Sequence, residues 1–271
     1  MRRVSWIAVI CGAVLLMVLL FATVGSWVLG TEIKPDPLLG VTPPGTPGHI
    51  FGTDLLGRDI LSLSIAGTRS AVVGPIAIAL GSMLLGMLLG TMSGYTGGWL
   101  DLVLSKWADL LLALPVTLIA LVVAGLVGGG YWITVVVLIV LFSPTDIRMM
   151  RSAVMTQSTR PYIESAKVLD LSRWRIMFRH ILPNVLPIAI ATMLLNIAFA
   201  LVAMSALSFL GLGVGPGQPD WGRQLSDGRN LLTENPGAVL VPGLLIILTA
   251  TAVNLIGDWI QERYDARVEA A

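Results

Sequence analysis

The sequence has 271 residues, of which 55% are hydrophobic and only 12% are charged, and its net charge is +1. Soluble domains carry about 25% charged residues. Because this chain also contains several long runs without charge, the composition excludes a soluble globular protein and indicates an integral membrane protein. The net charge averages over faces that should differ in sign, so it indicates no class of partner.

The N-terminal apolar run is the first of six predicted membrane spans. Arg2 and Arg3 precede it, which is also the pattern of a signal peptide. The run is long enough to cross a bilayer and no small-x-small cleavage site follows it, so we predict an uncleaved span. Runs of span length occur at residues 6–29, 70–93, 102–127, 131–150, 185–210 and 237–259.

The segments between the spans are short or loop-like. Residues 30–69 and 211–236 are rich in Pro and Gly and predict loops, the first with a short amphipathic helix near residues 59–65. Residues 94–101 predict a tight turn. The glycines of the second span predict a helix-packing face. Pro115 should kink the third span.

The positive charges are distributed unevenly over this topology. Of the 17 Lys and Arg residues, 12 fall on one side of the predicted spans and five on the other. Short cytoplasmic loops collect Lys and Arg. The bias therefore predicts six spans with both termini in the cytoplasm and both Pro/Gly-rich loops outside.

Residues 160–187 form the longest polar interval between two apolar runs in the second half of the chain. The interval is basic and holds only two acidic residues, Glu164 and Asp170. It predicts two short helices, because Pro161 suits a first helical turn and Ser172 suits the N-cap of a second helix. The prolines at its end mark the entry to the next apolar run.

The second of these short helices should be amphipathic. Trp174, Met177, Phe178 and Ile181 recur at helical spacing on one face, while Ile176 breaks the pattern. Such a helix pair either lies on the membrane surface and joins two spans, or lays its apolar face into a groove on a soluble partner.

The same interval resembles the EAA loop of ATP-binding cassette (ABC) importer permeases, which is that family's contact with its ATPase subunits. Glu164, Ser165 and Ala166 match the Glu-Ala-Ala start, with Ser in place of the middle Ala, and the family's Gly falls on Asp170. Glycine there allows a positive-φ turn that Asp adopts less readily. The resemblance implies these ATPase-coupling residues: Glu164, Ser165, Ala166, Asp170, Trp174, Phe178 and Pro183.

Three further motifs occur in the order of that family. Asp54, Arg58 and Asp59 are spaced to form either a local ion-pair network or a solvated loop, and their segment resembles the GTDxxGRD signature of the peptide and nickel permeases. The resemblance implies that they order the external loop. Residues 94–101 resemble the GYxGGxxD turn. Residues 208–229 resemble the SFLGLG…WG…GR segment, in which Trp221 is a ready anchor.

Polar residues within the spans are candidates for a substrate path. The pore candidates are Asn196, Ser205, Ser208 and Asn254. Lys106 and Asp109 lie three residues apart and can pair. Asp109, Asp146 and Asp258 lie near span ends, where we favour helix-end or interhelix hydrogen bonds.

Residue counts also limit the chemistry of the chain. Cys11 is the only cysteine, so no intrachain disulfide forms, and two histidines, His49 and His180, supply no metal-ligand cluster with it. No lysine follows a glycine, so the chain has no P-loop for nucleotide. We predict no catalytic residue, no metal and no cofactor in this chain.

Taken together, these features predict an all-α integral membrane protein with six transmembrane helices. We divide it into residues 1–69, a first helix plus external loop, and residues 70–271, a five-helix permease core with a coupling loop at about 160–183. The resemblance implies the architecture of a type I ABC importer permease. It also implies an inner-membrane subunit that imports dipeptides or oligopeptides by alternating access.

The resemblance further implies the partners of such a permease. These are a second homologous permease, two ATPase subunits that bind ATP and Mg, and an extracytoplasmic substrate-binding protein. Two alternatives remain open: an importer of nickel, another metal complex or glutathione with the same fold, and a membrane scaffold or intramembrane enzyme without a transport role, although the lack of a His cluster or nucleophile constellation argues against the enzyme.

Overall fold

The computed structural model describes residues 6–28 and 33–268, and every regular element in these residues is a helix. Residues 1–5 with Arg2 and Arg3, residues 29–32 and residues 269–271 lie outside the described residues; they belong to the predicted termini, the last residue of the first span and the first loop. The elements are α1 (Trp6–Val28), α2 (Ile60–Leu85), a π-helical segment (Gly86–Gly90), α3 (Thr91–Thr96), α4 (Gly98–Leu112), α5 (Val116–Val127), α6 (Tyr131–Ser158), α7 (Pro161–Val168), α8 (Arg173–Arg175), a second π-helical segment (Ile176–Ile181), α9 (Leu182–Phe209), α10 (Trp221–Gly228), a 3-10 turn (Arg229–Leu231) and α11 (Gly237–Val268).

Five helical stretches of the described residues are long and apolar enough to cross a membrane, and α4 with α5 supplies a sixth if the bent pair counts as one span. The predicted all-α membrane-spanning fold class is confirmed, and the predicted number of six spans is reached when the bent pair counts as one. α2, α6 and α9 pack together at the centre of the bundle, and α1 and α11 pack against α2 and α9. The bundle has a loop end, with residues 33–59 and 210–236, and an α7 end.

The predicted amphipathic helix near residues 59–65 and the second span are one helix. Asp59 caps α2 by accepting a hydrogen bond from the Ser62 N–H at 2.8 Å. The Thr68 hydroxyl donates to the Ser64 carbonyl within this helix. The helix continues past residues 69 and 70 without a break. The predicted domain boundary between residues 69 and 70 therefore falls inside α2.

The kink predicted at Pro115 is a complete break. α4 and α5 meet at 90°, and Pro115 has φ −60° and ψ 122°, which lies outside the helical region. The predicted turn at residues 94–101 is shorter than expected. Only Gly97 and Gly98 take positive φ there, and α4 already begins at Gly98.

Other helices extend beyond their apolar runs. α6 continues to Ser158, and α8, the second π-helical segment and α9 run without a break from Arg173 to Phe209. The predicted second short helix is thus the first part of a long span. Pro183 lies inside this continuous helix, two residues after the second π-helical segment, and the helix passes it without a break.

Candidate functional site

The first segment of the predicted coupling loop is α7. Pro161 begins the helix, and Arg160 before it is extended at φ −75° and ψ 146°. Glu164 lies in the first turn, where a negative charge interacts favourably with the helix dipole. Glu164 and Ser165 are both exposed, and the Ser165 hydroxyl donates to the Pro161 carbonyl at 3.2 Å.

α7 ends in a turn that needs a positive φ. Asp170 takes φ 53°, and it is the one non-glycine residue with positive φ among the described residues. The Leu171 N–H donates to the Ala166 carbonyl at 3.2 Å and the Asp170 N–H donates to the Lys167 carbonyl at 3.0 Å. This is the Schellman arrangement, in which glycine usually occupies the place of Asp170. Asp here adopts the turn that the family's Gly allows.

The inner face of α7 packs into an apolar core that also contains residues of three spans. Ile163 is fully buried and Ala166 is 5% exposed. They belong to a core that we call the α7 core, whose other buried members come from α2, α6, the second π-helical segment and α9: Met83, Met150, Val154, Ile176, Ile181, Val185 and Ala189. α7 is therefore held mainly by the second π-helical segment and shares this core with the three spans.

The second segment begins as predicted, with Ser172 accepting a hydrogen bond from the Arg175 N–H at 3.4 Å. Its predicted apolar face is only partly right, because Ile176 is buried and Trp174 is exposed. The π-helical segment causes the difference: a wider turn places residues five apart, Ile176 and Ile181, on the same buried face. Trp174 and Phe178 stack with ring centroids 5.3 Å apart.

The two segments end in an exposed apolar surface at the α7 end. Val168 is 85% exposed, Leu169 73% and Trp174 58%, and we call these three residues the apolar tip. The neighbouring residues of the chain are also exposed and mostly basic, with Asp170 as the acidic exception: Lys167, Asp170, Arg173, Arg175 and Arg179. Such an arrangement fits a partner groove with an apolar floor and an acidic rim.

The structure brings together Asp54 and Arg58 of the predicted loop motif. Their side chains form a nearly buried ion pair, with Arg58 Nε 2.8 Å and Nη2 2.6 Å from Asp54 Oδ2. The Arg58 guanidinium also donates to the Gly217 carbonyl at 3.3 Å, which joins the two loops of the loop end. Asp59 lies apart from this pair and accepts instead from the Ser62 N–H and contacts His49.

Trp221 anchors α10 against α2. It is 1% exposed, and its indole N–H donates to the Ser64 carbonyl at 2.8 Å. On the next turn, the Gln224 side chain accepts a hydrogen bond from the Ser64 hydroxyl and donates one to the Leu63 carbonyl. The second loop is thereby held on the first turns of α2.

Sequence reasoning missed two buried polar residues at the loop end. The Asn235 side-chain amide donates to the carbonyl groups of Phe51 and Thr53 at 3.0 Å each, and its oxygen accepts from the Gly237 N–H. Asp220 caps α10 and accepts from the Ser70 hydroxyl at 3.0 Å. Burial raises the pKa of Asp220, although these hydrogen bonds favour its carboxylate. Asp is a common N-cap residue, but no sequence spacing signals the contacts of Asp220 with Ser70 or of Asn235 with Phe51 and Thr53, because these partners are distant in the chain.

The four pore candidates do not form one site. Asn196 is buried and donates to Asp146 Oδ1 at 2.8 Å, so its amide joins α9 to α6. Ser208 is fully buried near the loop end of α9, and Ser205 is half-buried one turn before it. Asn254 is half-buried in α11. Their role in a path stays a prediction.

No three His, Cys, Asp or Glu side chains come together as a metal site anywhere in the part of the chain that the structure describes. Charged side chains of α4 and α6 pair with each other. Arg151 pairs with Asp101, with Nη2 2.7 Å from Oδ2, and Arg148 pairs with Asp109.

Comparison with known proteins places these features in a family. Residues 86–270 match the binding-protein-dependent transport system inner membrane component. The chain is 35% identical over 223 residues to a glutathione transport system permease protein GsiD of Pectobacterium atrosepticum, covering 82% of this chain and 74% of that protein. It is 36% identical over 225 residues to a dipeptide transport system permease protein DppC of Haemophilus influenzae, covering 83% and 76%.

A putative peptide permease protein of Brucella suis biovar 1 is similar over almost the whole chain, with 34% identity over 266 residues that cover 97% of this chain and 88% of the relative. Among solved structures, the methionine ABC transporter MetNI, in an inward-facing conformation, has the same fold. It aligns with a TM-score of 0.61 and 17% identity, over 75% of this chain and 97% of that one. The chain therefore belongs to the family of binding-protein-dependent transport system inner membrane components and is a multi-pass permease subunit of the inner membrane.

Proposed function

We propose that this chain is one of two permease subunits of an ABC importer that carries dipeptides or oligopeptides into the cytoplasm. Relatives named as dipeptide, peptide and glutathione permeases support a peptide-like substrate. In the proposed complex, two ATPase subunits bind the α7 end and hydrolyse ATP. An extracytoplasmic binding protein delivers the substrate to the loop end, and both termini of this chain lie in the cytoplasm.

The observation that carries the proposal is the apolar tip on its rigid base. An exposed surface of this kind, surrounded by cations, is costly to leave uncovered in water and suits a protein partner. Below it, the α7 core ties α7 to the ends of α2, α6 and α9. A partner that moves the tip therefore moves the ends of three spans.

The mechanism is alternating access. ATP binding closes the ATPase pair, which shifts α7 together with the span ends in its core. The spans then reorient about the path between the two permeases, so that the path opens in turn to each side of the membrane. This chain breaks no covalent bond, and the free energy comes from the partner ATPases.

A substitution in the apolar tip tests this function. Leu169→Arg places a charge where the partner's apolar groove should lie, so ATP-driven uptake of a labelled dipeptide by vesicles containing the whole complex should fall by about tenfold or more. Glu164→Lys, which reverses the charge of the first turn of α7, should act in the same direction. The amount of protein in the membrane should not change, because both side chains are exposed.

Leu232→Arg is the matched control, since Leu232 is also exposed, at 53%, but lies at the loop end. It should leave the association of the ATPases unchanged. Normal uptake by both α7 variants would count against the proposal. Uptake of nickel in preference to dipeptide or glutathione would replace the proposed substrate, and co-purification without any ATPase would favour a scaffold.

A further inference from the structure

The break between α4 and α5 leaves backbone groups without partners. Pro115 has no N–H, so the Leu111 carbonyl lacks the donor that a continuous helix would supply. Neither the N–H of Leu114 nor the carbonyl groups of Ala113 and Leu114 have a hydrogen-bond partner among the described residues. Residues 112–115 are exposed on the surface of this chain, so no other element covers them.

This break lies at the depth of the membrane interior. α5 has 12 residues, and it ends at the glycine turn before Tyr131 and Trp132, residue types that are enriched at membrane interfaces. At 1.5 Å per residue, the break is about 18 Å from that interface. The hydrocarbon core of a bilayer is about 30 Å thick, so the break is inside it.

Lipid is a poor environment for this surface. Each unsatisfied backbone group in hydrocarbon costs several kcal/mol, and irregular backbone is found at membrane depth where protein buries it or where it lines a water-filled cavity. Protein burial and water thus remain as the two environments of the break.

Charged side chains on the same side favour water. Asp109 lies one helical turn before Ala113 on α4, and its side chain is 50% exposed. It pairs with Arg148 of α6, which is 46% exposed, and Lys106 Nζ is 3.7 Å from Asp109 Oδ2 at 75% exposure. Ion pairs sealed into a dry contact between proteins lose hydration that their attraction barely offsets.

We propose that the α4–α5 break, residues 112–115, lines the aqueous path by which the substrate crosses the membrane, at the face of this chain that meets the second permease. The inference rests on the proposed function and names the part of this chain that the path touches. It also explains what the 90° bend would contribute. A straight helix would present only side chains to the path, whereas the break presents backbone amide groups to water and to a passing peptide.

Thiol accessibility tests the proposal. In a background with Cys11→Ser, which removes the single native cysteine, Leu114→Cys is assembled with all partner subunits in membranes and treated with a charged, membrane-impermeant thiol reagent. Because such reagents need an ionised, hydrated thiol, Leu114→Cys should react about tenfold faster, or more, than a cysteine facing lipid. Labelled substrate in excess should slow the reaction.

Leu84→Cys is the matched control. Leu84 is 60% exposed and Leu114 is 58% exposed. The Tyr131 hydroxyl donates to the Ser70 carbonyl, so Leu84, fourteen residues further along α2, lies about 21 Å below the same interface. The two positions therefore match in residue type, exposure and depth, and differ in that α2 is a regular helix at Leu84.

The rate of thiol modification is measured both without nucleotide and with ATP trapped in the complex. If the Leu114→Cys variant does not assemble, Ala113→Cys takes its place. Equal rates at Leu114 and Leu84, or no reaction at the break in either state, would overturn the proposal. Because each variant is also assayed for dipeptide uptake, an active importer with an unreactive break would reject this inference and leave the proposed function intact.

Discussion

Asp170 is held in a backbone conformation that L-residues adopt at some cost. At φ 53° its Cβ approaches the following carbonyl, which costs roughly 1–2 kcal/mol for residues other than glycine. The turn persists because it satisfies the last carbonyl groups of α7 and lets Leu171 return towards the α7 core. Asp and Asn tolerate this region better than most side chains.

Asp170→Gly should therefore stabilise the protein. Removing the Cβ relieves strain, although the more flexible unfolded chain offsets part of the gain, so we expect an increase of about 0.5–1 kcal/mol in the free energy of unfolding. Asp170→Ala, which keeps a Cβ and loses the polar group, should be less stable than the native protein. The measurement is the thermal unfolding midpoint of the complex in detergent, and equal midpoints for the Gly and Ala variants would contradict the strain.

Polar residues show where single positions can and cannot be predicted from sequence. Asp54 and Arg58 lie four apart, so their ion pair follows from local spacing. Asn196 and Asp146 are 50 positions apart, and Asn235 and Thr53 are 182 apart. Such pairs depend on how the helices and loops pack, which one sequence does not specify.

At the scale of elements, the apolar runs located the spans and misplaced their ends. Hydropathy stops at the membrane surface, whereas α6 continues to Ser158 because its last turns pack in the α7 core. The two π-helical segments were not predicted, since one extra residue in a turn leaves composition unchanged. That same residue changes the phase of the apolar pattern, which is why Ile176 seemed misplaced.

Close packing of the first π-helical segment on α6 gives a prediction for one element pair. A Cβ on Gly90 would lie 2.7 Å from the Ile147 carbonyl oxygen and 2.8 Å from the Met150 Cβ. Gly90→Ala should thus push the helices apart and destabilise the protein by about 1–3 kcal/mol.

Gly125→Ala is the control for this change, because a Cβ on Gly125 of α5 meets nothing within 4 Å. Its unfolding midpoint should equal or exceed that of the native protein, since alanine favours helix. If both alanine variants unfold at the same temperature, the backbone contact between Gly90 and α6 is not what holds these helices together.

The whole molecule is a bundle with a separate core at each end. At the loop end, Trp221, Asn235 and the Asp54–Arg58 pair tie the two loops to the first turns of α2 and α11. At the other end, the α7 core joins three spans to the apolar tip. Composition and run length suffice to predict a multi-span protein, but not these cores, because their members come from distant parts of the chain.

If the α7 core transmits motion, substitutions that destabilise the two ends of the bundle equally should have different effects on transport. Ala166 and Ala238 are each 5% exposed, the first in the α7 core and the second in the core at the loop end. Replacing either by Leu adds the same volume and should destabilise the protein by about 1–3 kcal/mol.

We expect Ala166→Leu to displace α7 from its packed position, so that the complex still hydrolyses ATP but imports less dipeptide for each ATP consumed. Ala238→Leu should lower the amount of folded complex while the dipeptide-to-ATP ratio stays native. The ratio is measured in vesicles, normalised to the folded complex, and the same ratio for both variants would mean that α7 is only a docking point.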